Sequence, residues 1–291
     1  MRMDSEREST NVEDRRRASP GLMVGGGIGG IVILIIVTLL GGDPSKVGEM
    51  LNPGGAAGGG ASAQRPLNPE EEKLAVFVKK VLGSTEDIWG KLLPQQTGKA
   101  YVQPKLVMFT GQVQTACGGA SAAVGPFYCP GDQKVYIDLS FYEQMRRQLG
   151  APGDFAQAYV IAHEVGHHIQ NILGKSDEVH AAHDRVDKVE YNRLSVRLEL
   201  QADFYAGVWA HHAQELRSIL DPGDLEEAIN AAHQIGDDTL QKQAQGRVVP
   251  DSFTHGSAAQ RMAWFKRGFD TGDMRKGDTF DDAVFNAFAP R

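Results

Sequence analysis

The apolar residues of this chain repeat at helical spacing over most of its length. After Asn68, a good helix-capping residue that is followed by Pro69, the pattern predicts a first helix that Gly83 ends. The same period returns from Phe155 onward. It predicts helices over residues 156–173, about 189–216, 224–242 and 258–268.

A second pattern, the alternation of apolar and polar residues, marks two short segments between the helical regions. The apolar residues of 134–139 alternate with Tyr136 and Asp138, as expected of a strand, and residues 105–109 are the other strand candidate. The sequence therefore predicts one α+β domain over residues 68–291, mostly helical with a small sheet.

A long uncharged stretch differs from both patterns. Residues 18–42 carry no charge, which is enough for one membrane-spanning helix, predicted here over residues 21–42. Three consecutive arginines from Arg15 precede the stretch, and basic residues mark the cytoplasmic side of a membrane helix. We therefore expect a cytoplasmic tail over residues 1–20, a flexible linker over 43–67 and a domain outside the cytoplasm.

The alternative to an uncleaved anchor is a cleaved signal peptide. A small-residue site, residues 61–63, lies well beyond the apolar stretch, whereas signal peptides are cut close behind theirs. Within the predicted anchor, Gly26 and Gly30 have the spacing that lets two membrane helices approach closely. A homodimer through this face is a further expectation.

The charge of the chain bears on its possible partners. The chain has 30 Lys and Arg residues against 37 Asp and Glu residues, a formal charge of -7. Binding of nucleic acid needs a surplus of clustered basic residues, so nucleic acid is not expected as a partner.

One predicted helix carries a cluster of the metal-binding type. His163 and His167 lie four residues apart, so that their imidazoles are on one face and can share a metal ion. Glu164 is rotated from them by about 100° and lies beside the metal position, where it can act as a general base toward water. The alternative is a polar patch that ordinary hydrogen bonds satisfy.

The helix predicted over residues 189–216 supplies the remaining candidates. Catalytic zinc usually takes three protein ligands and leaves one position open, and Glu199 can be the third ligand. Asp203, one turn later on the same face, can accept a hydrogen bond from the second nitrogen of a ligand histidine. The apolar neighbours Ala202 and Phe204 favour a core helix over a solvated acidic face.

These motifs resemble known families. His-Glu-x-x-His followed by a downstream Glu-x-x-x-Asp helix resembles the glutamate-liganded zincins, the thermolysin-like and CaaX-protease-like groups. More of the chain resembles the neutral zinc metallopeptidase family of bacterial membrane-anchored proteins. This resemblance implies a zincin-like fold, one zinc ion per chain and a single-pass protein of the bacterial envelope with a periplasmic or extracellular domain. It is carried by the N-terminal apolar anchor, the loop from Cys117 to Pro130, residues 135–139, His163 to His168, Glu199 to Asp203 and His255 to Arg261.

The resemblance also implies a role for His255, as a hydrogen-bond donor to the oxyanion that forms at a peptide carbonyl. Gly256 stands where the CaaX-protease-like zincins have a proline. The alternative is that Ser257 caps a helix with Arg261 on its exposed side. Among the other histidines, His168 is expected to be structural. Solvated helix faces are expected for His180, His183, His211, His212 and His233.

The two cysteines, Cys117 and Cys129, close a short Gly-rich loop. In the oxidising compartment that the predicted topology implies, they are expected to form a disulfide. A loop of this length would gain about 3 kcal/mol of stability from the bond. Free thiols and metal ligation are the alternatives.

Together these features predict a zinc-dependent endopeptidase that acts on peptides or proteins outside the cytoplasm. An extended substrate is expected to pair with the strand around residues 135–139, so that Tyr136 and Asp138 contact it. The alternative is a non-catalytic, zinc-bearing scaffold that binds envelope proteins or peptides. Glu164 favours the enzyme, because a structural zinc site has no use for a general base.

Overall fold

Helices make up most of the computed structural model, which describes residues 1–17, 67–148, 150–151 and 153–287. The strands are β1 (Val12–Asp14), β2 (Lys105–Phe109), β3 (Gln112–Thr115), β4 (Gly118–Ser121), β5 (Phe127–Cys129) and β6 (Lys134–Asp138). The helices are α1 (Pro69–Thr97), α2 (Ser140–Gln148), α3 (Asp154–Leu173), α4 (Lys175–Ala182), α5 (Lys188–Arg217), α6 (Asp224–Gln234), α7 (Asp237–Gln245), α8 (Ala258–Thr271) and α9 (Asp282–Ala287).

The main sheet has its strands in the order β1-β2-β6-β5. The first three run parallel, and β5 runs antiparallel to β6. Val107 lies opposite Tyr136, and Phe109 lies opposite Asp138. β6 is therefore an internal strand, whereas β5 is an edge of the sheet. β3 and β4 form a separate antiparallel hairpin.

The core lies around α5, which packs against α3 on one side and α8 on the other. The Trp209 ring of α5 stacks on Phe155 of α3 with centroids 6.1 Å apart, and Phe204 of α5 meets Trp264 of α8 edge to face at 6.2 Å. All four side chains are buried. Burial of a large apolar side chain contributes about 1.5–3 kcal/mol, so these contacts fix the three helices against one another.

The predicted strands and most of the predicted helices are present. Residues 105–109 and 134–139 correspond to β2 and β6, and the helices predicted over 156–173, 189–216 and 258–268 correspond to α3, α5 and α8. The helix predicted over 224–242 is interrupted at Ile235 and Gly236, between α6 and α7. Because of this break, Asp237, the first residue of α7, accepts a hydrogen bond from the loop that precedes α8.

The predicted end of the first helix is wrong, because α1 continues through Gly83 to Thr97. A Cβ atom added at Gly83 would lie 2.5 Å from the carbonyl oxygen of Arg7. Glycine occupies this position because the N-terminal segment crosses the helix there in backbone contact.

Residues 1–17 belong to the folded domain and do not form the separate cytoplasmic tail predicted over residues 1–20. β1 pairs with β2, and the buried carboxylate of Glu86 on α1 accepts three hydrogen bonds from this segment. The donors are Arg7 Nη2 at 2.7 Å, Ser9 Oγ at 2.6 Å and Asn11 Nδ2 at 2.7 Å. A buried carboxylate with this many partners holds the segment firmly against α1.

The predicted single-pass membrane arrangement is therefore wrong. One crossing between residues 18 and 66 would separate residues 1–17 from the domain, yet they share its sheet and core. Arg16, before this gap, donates from Nη1 to the carbonyl oxygen of Glu71, after it, at 3.1 Å. Among the helices that the structure describes, none is long and apolar enough to cross a membrane. The predicted anchor (21–42), most of the linker (43–67) and the glycine pair Gly26 and Gly30 lie outside the described residues.

The two cysteines form the predicted disulfide. Cys117 lies in the turn between β3 and β4, and Cys129 is the last residue of β5. The bond therefore ties the hairpin to the edge strand and closes the loop between them.

Candidate active site

The candidate site lies where the backbones of α3 and α5 are in close contact. A Cβ atom added at Gly166 of α3 would lie 2.9 Å from the carbonyl oxygen of Ala202 on α5, so only glycine fits without a shift. This contact sets the face with His163 and His167 against the face with Glu199. The second free position of the His-Glu-x-x-His motif therefore has a packing role.

Three potential metal ligands converge at this contact. His163 Nε2 lies 3.2 Å from His167 Nε2 and 3.2 Å from Glu199 Oε2, and His167 Nε2 lies 3.5 Å from Glu199 Oε1. Tetrahedral zinc with bonds of about 2.0–2.2 Å separates neighbouring ligand atoms by about 3.3–3.5 Å. The three side chains therefore have the chemistry and the spacing that a zinc ion needs.

Hydrogen bonds fix the tautomers of both histidines. His163 Nδ1 donates to Asp203 Oδ1 at 2.8 Å, and His167 Nδ1 donates to Gln170 Oε1 at 2.8 Å. The Gln170 amide is oriented in turn, because its nitrogen donates to the carbonyl oxygen of Leu198 at 2.6 Å. Both Nε2 atoms are thus left as acceptors that point toward a carboxylate, an arrangement that requires a cation.

The pKa shifts of His163 and Glu199 also indicate that the site favours a positive charge. Burial lowers the pKa of His163, but Asp203 and Glu199 outweigh it and raise this pKa to about 10. Burial also opposes ionisation of Glu199, yet the charges of His167, His163 and His255 hold its pKa well below the usual range. Both shifts show that the site favours a positive charge between the two histidines and Glu199.

Asp203 is the centre of a buried network behind the ligands. Arg261 donates to both of its oxygens, from Nε at 2.8 Å and from Nη2 at 2.9 Å, and Tyr159 Oη donates to Oδ1 at 2.5 Å. Arg261 is only 2% exposed, so it does not lie on the exposed side of α8. The arginine neutralises the carboxylate that orients His163.

Glu164 lies beside the three ligands and faces a cavity. It is buried, and no residue in the described parts of the chain hydrogen-bonds to its carboxylate. Burial raises the pKa of Glu164 against the opposing charges of His163 and His167. The group has the position and the free oxygens to exchange a proton with a molecule in the cavity.

His255 lines the same cavity and has a partner that the sequence did not indicate. Its Nδ1 lies 3.2 Å from Asp237 Oδ1 and 3.0 Å from the hydroxyl oxygen of Thr254. Asp237 Oδ2 also accepts the backbone N–H groups of Thr254, His255 and Gly256, at 2.8, 2.7 and 3.0 Å. Nε2 has no hydrogen-bond partner among the described residues. Burial lowers the pKa of His255, but Asp237 and Glu199 outweigh it and raise it.

The cavity has a volume of about 490 Å³ and mainly apolar walls. One wall is the disulfide-closed loop with β5, and the other side is formed by residues near α6 and α7. β5 is fastened to α3, because Tyr128 Oη donates to His168 Nδ1 at 2.9 Å while His168 Nε2 donates to the carbonyl oxygen of Val102 at 2.6 Å. His168 is therefore structural. The apolar wall residues include Val124, Pro126, Phe127, Phe141, Ile235 and Leu240.

The prediction that Tyr136 and Asp138 contact a substrate strand is wrong. β6 has neighbours on both edges, so it cannot accept another strand. The Tyr136 ring is 1% exposed and stacks on Phe127 at 4.9 Å. The Asp138 carboxylate accepts the backbone N–H groups of Gly111 at 2.7 Å and Ser140 at 2.9 Å, so it stabilises the two turns that follow β2 and β6.

Comparison with known proteins adds a family assignment. The sequence profile of the family described as "Putative neutral zinc metallopeptidase" matches residues 1–280. The uncharacterized protein YpfJ of Escherichia coli (strain K12) is 50% identical over 291 residues, which cover 98% of this chain and 100% of the relative. The uncharacterized protein Rv2575 of Mycobacterium tuberculosis is 43% identical over 210 residues, 69% of this chain and 68% of that protein. No solved structure matches the chain.

Proposed function

The chain belongs to the neutral zinc metallopeptidase family, and on this premise we propose that it is a zinc-dependent endopeptidase whose active site lies between α3 and α5. His163 and His167 would hold the ion through Nε2 and Glu199 through its carboxylate. Bound zinc supplies a Lewis acid that acidifies water and polarises a carbonyl group. The three ligands come from two helices whose backbones touch at Gly166, which keeps their spacing fixed.

The buried carboxylate of Glu164 carries the proposal. This carboxylate faces the cavity beside the three ligands, and a site that only bound zinc for structural reasons would gain nothing from it. In the proposed reaction, Glu164 takes a proton from the attacking water and passes it to the leaving amine. This single group therefore acts first as a base and then as an acid.

His255 would supply a hydrogen-bond donor to the oxyanion. Asp237 accepts from Nδ1, so the ring is oriented with Nε2 free. A protonated ring donates from Nε2 to the oxyanion that forms when the carbonyl is attacked. Asp237 acts as a positioning residue, because its other oxygen also fixes the backbone on either side of His255.

We propose that peptides with a bulky apolar side chain next to the scissile bond are the preferred substrates. Phe127, Phe141 and Leu240 line the cavity that holds Glu164, and burial of apolar surface there would contribute to binding. The backbone of the substrate would pair with β5 rather than with β6, because β5 is the sheet edge that borders the cavity.

The test is hydrolysis of a mixed peptide library by the full chain in three states: as purified, after removal of metal by a chelator, and after Zn²⁺ is returned. We expect cleavage in the first and third states, next to large apolar residues. Glu199→Gln should retain the fold but lose most of its zinc and its activity. If the zinc-loaded protein binds library peptides and cleaves none of them, the chain is a scaffold and not an enzyme.

A further inference from the structure

A second group of metal-binding side chains lies near the end of α5, about 18 Å along the helix from Glu199. His211, His212 and Glu215 each place one potential ligand atom within 4.8 Å of the others. The histidine side chains are only 32% and 22% exposed, so they are not on the solvated face expected from the sequence. The carboxylate of Glu215 is 66% exposed.

Backbone carbonyl groups fix which nitrogen of each ring is free. His211 Nδ1 donates to the carbonyl oxygen of Phe269 at 2.7 Å, and His212 Nε2 donates to that of Gly272 at 2.8 Å. A carbonyl oxygen can only accept, so these two nitrogens carry the protons of the neutral rings. His211 Nε2 and His212 Nδ1 are left as acceptors, and they lie 3.9 Å and 3.5 Å from Glu215 Oε2.

Three acceptor atoms therefore face one another, and no residue that the structure describes places a donor between them. A single added proton joins only two of the three atoms, and neither distance is that of a short hydrogen bond. A divalent cation with bonds of about 2.0–2.2 Å contacts all three at once, after small side-chain movements, and leaves a position for water. Ring nitrogens held by backbone carbonyls on their far side are the usual arrangement at metal sites.

The surrounding backbone also favours a cation. α5 ends at Arg217 and α8 ends at Thr271, so the C-terminal ends of two helices meet at this cluster. The C-terminal end of a helix carries partial negative charge, which adds to that of Glu215.

We propose that His211 Nε2, His212 Nδ1 and Glu215 form a second metal site, for a late first-row divalent cation such as Zn²⁺. The ligands all come from α5, but both rings are bonded to the end of α8. Metal binding therefore clamps α5 to α8, and the role of the site is structural. The proposal does not depend on peptidase activity.

The experiment is titration of Zn²⁺ into metal-free full-length protein by calorimetry, with the bound metal determined by elemental analysis after dialysis. We expect two ions per chain for wild type, one for His163→Ala/His167→Ala and one for His211→Gln/Glu215→Gln. Glu215→Gln alone is the variant least able to disturb the fold, because this side chain is exposed, and it should weaken one of the two sites at least tenfold. His183→Ala, on an exposed histidine, is the control and should keep both ions.

A second measurement separates metal binding from protonation. In the His163→Ala/His167→Ala background, Zn²⁺ at a hundredfold excess over its Kd should raise Tm by about 5 °C or more, and the further change Glu215→Gln should abolish the rise. One ion per chain in wild type would overturn the proposal. Two ions that both survive His211→Gln/Glu215→Gln would overturn it as well.

Discussion

At the scale of single residues, the candidate site depends on a buried carboxylate that has three partners. Asp203 is fully buried and accepts from His163, Tyr159 and Arg261. Burial alone raises the pKa of Asp203, but Arg261 and His163 outweigh it and hold this pKa below the usual value. The forked guanidinium of Arg261 makes an ionised Asp203 tolerable in the core, and the ionised Asp203 orients His163.

Asp203→Asn should weaken zinc binding about 10–100-fold. The amide carries no charge and satisfies His163 and Arg261 less well, so the ligand ring is less firmly oriented. Competition against a chelating dye measures the affinity. Asp184→Asn, at a residue whose side chain is 95% exposed, is the control and should bind zinc as wild type does. Equal affinities for Asp203→Asn and wild type would show that the network does not act on the metal site.

Residues within one helix could be predicted from the sequence, because helical spacing fixes their relative positions. The convergence of His163 with His167, and of Glu199 with Asp203, follows from a separation of four residues. The pairing of Asp237 with His255 could not be predicted, because the break between α6 and α7 brings them together across 18 residues. The burial of Arg261 likewise depends on the packing of α8 on α5.

At the scale of secondary-structure elements, the spacing of α3 and α5 decides whether the ligands meet. Gly166 allows the two backbones to touch at Ala202. Glycine in a helix interior costs about 0.5–1 kcal/mol relative to alanine, so on helix propensity alone an alanine here would be more stable. Contact between the helices therefore outweighs helix propensity at this position.

Gly166→Ala should lower the free energy of unfolding by about 1–3 kcal/mol, because the added methyl group forces α3 and α5 apart. Chemical denaturation measures this change. Gly90→Ala in α1 is the matched control: its new methyl group would meet nothing within 4 Å, so the variant should be as stable as wild type or more stable by up to about 1 kcal/mol. A stabilising effect at both positions would contradict the proposed close contact.

Glycines also show why element boundaries were harder to predict than elements. A glycine after an apolar helical pattern is typical of a helix end. Gly83 nevertheless lies in the middle of α1, because residues 7–9 cross the helix at this position. A local pattern cannot distinguish a glycine that ends a helix from one that admits another segment. The second kind depends on a contact between residues that are far apart in the sequence.

At the scale of the whole molecule, the N-terminal segment determines the topology. The three arginines before the uncharged stretch resemble the flank of a membrane anchor, but two of them have partners in the fold. Arg15 pairs with Glu13, and Arg16 is 2% exposed and pairs with Asp14. The positive-inside rule counts the basic residues beside an apolar stretch and takes no account of their partners in a fold. It gave the wrong topology here because nothing in the sequence shows that residues 1–17 join the sheet.

The docking of this segment should depend on pH through Glu13. Lys134 and Arg15 lower the pKa of Glu13 from 4.5 to about 2, against the effect of burial. A carboxylate with a lowered pKa in the folded state adds stability above the unfolded pKa and loses it as pH falls. The contribution should therefore be complete above about pH 4.5 and lost between there and pH 2.

Glu13→Gln should reduce the free energy of unfolding at pH 7 by about 1 kcal/mol or less, because water screens this partly exposed pair. The difference from wild type should shrink as pH falls below 4.5, and chemical denaturation at several pH values measures it. Glu178→Gln, at an exposed helix pair, should change stability little at any pH. A difference for Glu13→Gln that persists at pH 2 would contradict the assigned ion pair.

The central claim is that this protein cleaves peptides with Glu164 as the proton-transfer group beside a zinc ion. The most direct measurement compares zinc content and peptide hydrolysis for wild type, Glu164→Gln and the exposed control Glu178→Gln. We predict equal zinc content in all three, hydrolysis by wild type and control, and a rate for Glu164→Gln that is lower by about 10²–10⁴-fold or more. Wild-type rates in Glu164→Gln, or no hydrolysis by zinc-loaded wild type, would contradict the account.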